Sequence, residues 1–169
     1  AMRRNISNAE KSALIYKIRE RIPSIAIRTT MLVGFPNETR TDFDSLKSFI
    51  QDMRFDRLGV FTYSHEEDTR AHGLADNIPQ EIKEQRAAEL MNTQESISLE
   101  LNQQKVGKEF KVLFDRKEGG YFIGRTEYDS PEVDNEVLVD AAENYVRVGD
   151  FANVKITSAE EFDLYGELV

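Results

Sequence analysis

The stretch that most limits what this chain can become runs from Ile25 to Phe43, Ile-Ala-Ile-Arg-Thr-Thr-Met-Leu-Val-Gly-Phe-Pro-Asn-Glu-Thr-Arg-Thr-Asp-Phe. A near-continuous apolar run, broken only by Arg28, Thr29 and Thr30, reads as a strand inside a parallel sheet. Gly34-Phe35-Pro36 stops it, and Thr39 to Asp42 opens a helix. Strand, tight turn and crossover helix make one unit of an α/β fold, and such folds put ligands where strands end at their carboxyl edge.

The neighbours of this unit extend the pattern. Ser7 to Glu10 fits a capping box, and Ala13, Leu14, Ile15 and Ile18 predict a short amphipathic helix that ends at Pro23. Phe43, Leu46, Phe49 or Ile50, and Met53 recur at helical spacing, and Arg57 to Tyr63 reads as a second strand. Helix, strand, helix, strand with short connections is the pattern of a parallel sheet or barrel. Ser64 to Ile78, poor in apolar residues, predicts an exposed loop. Pro79 suits a first helical residue, after which Ile82, Arg86, Leu90, Thr93 or Gln94, Ile97 and Leu101 form the stripe of a long helix closed by Val106-Gly107.

From Lys108 the hydrophobic period changes to two. Phe110 to Asp115 and Tyr121 to Thr126 flank Gly119-Gly120 as a hairpin. Further strands read at Glu136 to Asp140, Phe151 to Thr157 and Phe162 to Leu168. Five short strands predict a small closed antiparallel barrel of OB-like size. The expected class is α/β plus all-β, with residues 1–104 as a partial βα barrel bearing the connecting helix and residues 105–169 as the small barrel.

Charge separates the two parts. From Lys105 onward there are eight basic and fifteen acidic residues, a net −7 out of −9 for the whole chain. An acidic surface repels phosphate and favours a basic partner over RNA. No window approaches the roughly 18 apolar residues of a membrane span, and the first residues lack a signal-peptide core, so no membrane role and a cytoplasmic setting are expected. The chain has no cysteine, which excludes a disulfide, a thiolate zinc site or an iron-sulfur cluster held by its own residues. His65 and His72 lack further fixed ligands and define no metal site. Gly107-Lys108 lacks the rest of a phosphate loop. The Gly34 turn is the stronger candidate, because alternation puts Arg28 and Thr30 on one strand face, and a charged group inside a barrel needs an anion or carboxylate partner.

Arg28 to Phe43 closely resembles R-T-x-x-I-V-G-F-P-G-E-T-x-x-D-F, in the radical S-adenosylmethionine domain of the methylthiotransferase family. Met2-Arg3-Arg4 and Phe55 to Ser64 resemble its flanking segments, and the C-terminal barrel resembles its TRAM domain. Asn37 stands where the pattern has glycine, and Asp68 where it often has glycine. Tyr63 to Thr69 and Gly124 to Asp134 resemble the branch that methylthiolates an aspartate of a small-subunit ribosomal protein rather than the branch that modifies tRNA.

The resemblance implies a longer transferase that uses S-adenosylmethionine and two 4Fe-4S clusters. Its cluster cysteines lie outside these 169 residues, so this chain alone is expected to hold no cofactor and to be inactive, with no catalytic residue of its own. It implies Arg28, Thr30, Gly34, Phe35, Thr62 and Tyr63 as cofactor-binding positions, and Arg125, Tyr128, Asp129, Glu132 and Asp134 as docking positions for a basic ribosomal protein. A tRNA-modifying enzyme of the same family and a non-catalytic binding module are the alternatives.

Overall fold

Ser7 opens the first helix by a reciprocal bond. The computed structural model describes residues 7–131 and 133–169; Met2-Arg3-Arg4 and Glu132 lie outside the described residues. The Glu10 amide donates to Ser7 Oγ at 3.2 Å and the Ser7 amide to the Glu10 carboxylate at 2.7 Å, a capping box that starts helix α1 (Asn8–Arg21). The expected apolar stripe does not become a buried face: α1 buries none of its residues, and Leu14 is half exposed. The helix is held instead through Arg19, which donates from Nη2 to the Arg54 carbonyl at 2.8 Å and from Nη1 to the Met53 carbonyl. Those carbonyls are the ones that a helix C-terminus leaves without intrahelical partners.

Strand β1 (Arg28–Val33) leads into helix α2 (Arg40–Met53) and strand β2 (Arg57–Thr62). The strands pair in parallel, from Arg28 beside Arg57 to Val33 beside Thr62. The predicted strand began at Ile25, but the Asp56 carboxylate accepts the Ile27 amide at 2.8 Å and the regular strand starts after it. Thr39 caps α2 with Asp42 in a second capping box, and α2 buries Phe43, Ile50 and Met53. Alternation sends Thr29, Met31 and Val33 with Leu58 to the buried side of the sheet; Arg28, Thr30 and Phe61 are exposed on the other.

Helix α3 (Gln80–Gln103) starts after Pro79, whose carbonyl accepts the Ile82 and Lys83 amides at 3.0 and 3.1 Å, so Pro79 stands just before the helix. Its buried residues are Lys83, Arg86, Leu90, Gln94, Ile97, Ser98 and Asn102, whereas Ile82 is 36% exposed. The chain divides into two compact units between Gln94 and Glu95, inside α3 and upstream of the boundary read from the sequence at Gln104.

In the second unit β3 (Glu109–Glu118), β4 (Tyr121–Thr126), β5 (Glu136–Asp140), β6 (Phe151–Ala159) and β7 (Asp163–Leu168) close in the order β3-β4-β5-β7-β6. The core holds Val112, Phe114, Phe122, Val137, Val139, Val146, Val154, Ile156 and Leu164. One pairing corrects the antiparallel expectation: β5 and β7 run parallel while the other neighbours are antiparallel. An odd number of strands in a closed ring cannot alternate direction all the way round. The last turns of α3 belong to this unit, with Ser98 Oγ donating to the Glu161 carbonyl at 2.6 Å and Asn102 Nδ2 to the Glu160 carbonyl at 2.9 Å.

Candidate functional site

The carboxyl ends of β1 and β2 are fixed by helix α3. Gly34 follows β1 with φ 75°, a conformation costly to residues with a Cβ. Its amide donates to both carboxylate oxygens of Glu38, at 3.1 and 3.2 Å, and Arg86 Nη1 donates to Glu38 Oε1 at 2.6 Å. At the end of β2 the Tyr63 amide donates to the Val33 carbonyl at 2.8 Å, and the Tyr63 carbonyl accepts from Lys83 Nζ at 3.2 Å. Lys83 Nζ also pairs with Asp76 at 2.7 Å. A Cβ built on Gly34 would sit 2.3 Å from Lys83 Cγ, so the space that glycine vacates holds the lysine stem.

Aromatic rings continue outward from this edge. Phe35 and Tyr63 meet edge to face at 5.2 Å between centroids, Tyr63 Oη lies 3.2 Å from His65 Nδ1, and His65 stacks on His72 at 4.6 Å. Asn37 and Asp68, at the two glycine positions of the resembled pattern, both have left-handed backbones, with φ 68° and 63°. Asparagine and aspartate are the non-glycine residues that tolerate this region best. Asn37 is further held by Asn77, which accepts the Asn37 amide and donates to Asn37 Oδ1, each at 2.9 Å.

The positions read from the sequence thus fall into two groups on the sheet. Gly34, Phe35 and Tyr63 gather at the carboxyl edge, and Arg28 and Thr30 share the exposed face. The Thr62 side chain, opposite Val33, belongs to the other face. The sequence reading missed Glu38, Asp76, Asn77 and Lys83 as participants and took Arg86 only as part of a helical stripe. Lys83 was within reach: it precedes Leu90 and Ile97 by steps of seven, the spacing of one helix face. Among the described residues no group of three potential ligands could hold a metal ion, and no helix is long and apolar enough to cross a membrane.

Of the positions expected from the sequence to dock a protein, Arg125, Tyr128, Asp129 and Asp134 lie at or beside the turn between β4 and β5. Thr126 Oγ1 donates to Asp129 Oδ2 at 2.5 Å, both buried. Asp134 Oδ2 accepts the Ser130 amide at 2.7 Å, and the Tyr128 amide donates to Thr126 Oγ1 at 3.2 Å. Arg125 Nε pairs with Asp115 at 3.0 Å. Beside them Arg116 donates from both terminal nitrogens to Glu136, at 2.8 and 2.9 Å, and its hydrogen bonds to Glu136 and then to Glu118 hold the guanidinium in its charged form.

The barrel matches a known class: residues 106–169 fit the TRAM domain family. Over 99% of its length the chain is 62% identical to "Ribosomal protein uS12 methylthiotransferase RimO" of Cytophaga hutchinsonii, and it is 55% and 54% identical to proteins of the same name from Christiangramia forsetii and Flavobacterium johnsoniae. The similarity to these three relatives runs through nearly all of this chain, which spans 37 to 38% of their length. A solved multidomain protein with nucleic acid binding domains from Streptococcus pneumoniae aligns at 13% identity and TM-score 0.33, over 40% of this chain and 24% of that one, a likeness too remote to inform function.

Proposed function

We propose that this chain, within a protein of the length of its relatives, supplies one wall of an S-adenosylmethionine site and the docking barrel of a transferase that methylthiolates an aspartate of ribosomal protein uS12. The observation that supports this most is the 62% identity over 99% of the chain, which runs through both units rather than the TRAM domain alone. Arg28 and Thr30 face outward from the sheet and offer a guanidinium and a hydroxyl to the carboxylate and ribose of S-adenosylmethionine. Gly34, Phe35, Thr62 and Tyr63 border its adenine at the carboxyl edge, where the ring pair of Phe35 and Tyr63 gives an apolar flank. When bound, the cofactors supply the radical and sulfur chemistry, and the protein orients them.

Cluster binding does not fit this chain's own side chains. Cysteine thiolates hold 4Fe-4S clusters, and these 169 residues contain none, so the chain alone is inactive in this reading. The barrel, net −7 from Lys105 onward, suits a basic protein better than RNA. Its setting is the cytoplasm, where ribosomal proteins are made.

The reading frame upstream of residue 1 tests the proposal. A Cys-x-x-x-Cys-x-x-Cys run in frame is the expected result; a frame of the relatives' length without one overturns the enzymatic reading in favour of a binding module.

A further inference from the structure

A cleft of about 170 Å³ opens on the second unit between strand β3 and the turn that precedes β5, and its walls include Asp115, Arg125, Ser130, Asp134, Asn135 and Glu136. Two local features coincide there. The β3–β4 register shifts between Phe114 and Arg116, leaving Asp115 as the extra residue of a bulge, and bulges re-aim a side chain out of the regular ladder. Asn135, 2% exposed, has its Nδ2 buried without a hydrogen-bond partner. A buried donor left unpaired is costly, and such atoms mark places where an acceptor belongs.

We infer that this cleft receives an extended basic segment of a protein partner, with a lysine or arginine side chain beside Asp115 and a main-chain carbonyl accepting from Asn135 Nδ2. The inference rests on the docking role proposed above for the barrel.

Charge decides the kind of occupant. Asp115, Asp134 and Glu136 outnumber the guanidiniums of Arg116 and Arg125 on the cleft wall. Both arginines already face carboxylates, Arg125 on Asp115 and Arg116 on Glu136 and Glu118. Among the described contacts Asp115 spends only Oδ2 on Arg125. An entering cation therefore meets acceptor capacity, while a phosphate meets carboxylates. Asn135 is neutral and pairs with a neutral carbonyl without a charge imbalance, which a peptide main chain provides and a nucleotide backbone does not.

The 169-residue chain titrated calorimetrically with purified uS12 from Cytophaga hutchinsonii, with amide NMR shifts followed in parallel, tests the inference. The expected result is salt-sensitive binding with shifts concentrated at residues 124–136. Asp115→Lys should weaken binding at least tenfold and Asp115→Asn by a smaller factor. Glu143→Lys, the same charge change beyond the other end of β5, should alter it less than twofold. Unfolding curves of each variant separate a lost site from a lost fold. Equal losses from Asp115→Lys and Glu143→Lys, or none from either, overturn the cleft while leaving barrel docking intact. No binding of uS12 by the unaltered chain overturns the docking reading itself. Transfer RNA shifting the same amides where uS12 does not assigns the cleft to nucleic acid and overturns the inference.

Discussion

Arg86 on helix α3 reaches Glu38 at 2.6 Å, and the same carboxylate receives the Gly34 amide, so an ion pair governs the turn after β1. Both side chains are nearly buried, at 10% and 12% exposure. Arg86→Met leaves the Glu38 charge without its partner, and loss of one member of a buried pair costs about 3 kcal/mol. Chemical denaturation of the first unit reads this loss. Native-state hydrogen exchange should show the Gly34 amide released faster than amides inside α2; unchanged exchange at Gly34 would refute the link between the pair and the turn.

Gly34 answers two demands, a backbone at φ 75° and the passage of the Lys83 stem. Gly34→Ala should therefore destabilise by about 1–2 kcal/mol from the backbone and by about 1–3 kcal/mol more from overpacking. Lys83→Ala removes the two nearest stem atoms and with them most of the steric part, so the double variant should be more stable than the sum of the two single changes implies. Additive losses in a double-mutant cycle would mean that the lysine simply moves aside.

Asn37 and Asp68 share a left-handed backbone but not a set of contacts. Asn37→Gly relieves the backbone and keeps the amide that donates to Asn77 Oδ1, but it discards the bond that Asn77 Nδ2 donates to the side chain, a loss of about 1 kcal/mol that offsets the relief. Asp68→Gly gives up no such bond and should leave stability unchanged or slightly raised. A melting temperature that is higher for Asp68→Gly than for Asn37→Gly checks the pair.

Burial, and then the charges of Glu136 and Glu160, push the Asp163 carboxyl above its ordinary value of 3.8. The folded barrel therefore holds this proton more tightly than the unfolded chain does. The resulting stability is present at low pH and is lost as pH rises from about 3.8 through the raised value. Asp163→Asn should raise the melting temperature at pH 7, and the gain should fade as the pH falls below the ordinary aspartate range. A gain that is constant from pH 3 to pH 8 would show that charge at Asp163 is not its source.

Much of the architecture was legible because it is written in local periodicity. The capping box at Ser7, the helix start at Thr39, the parallel strands and the five short strands after Lys108 needed only neighbours a few residues away. The failures arose where distant chain decided. Leu14 and Ile18 of α1 read as a buried stripe, but the structure attaches that helix by the guanidinium of Arg19. Lys83 and Arg86 are hidden charges whose partners, Asp76 and Glu38, lie 7 and 48 residues away, and charge alone argues for the surface. The parallel contact of β5 with β7 follows from closure of the ring, which no single strand reveals.

The continuity of α3 sets where the barrel can be separated from the rest of the chain. The TRAM match starts at 106, but Ser98 and Asn102 are nearly inaccessible and serve as donors to the carbonyls of the Glu160–Glu161 turn. A polypeptide cut at 106 would strip that turn of its donors. One that begins at Glu95 keeps two helical turns as a built-in lid for the end of the barrel, and it is the smaller piece that should still fold as a unit.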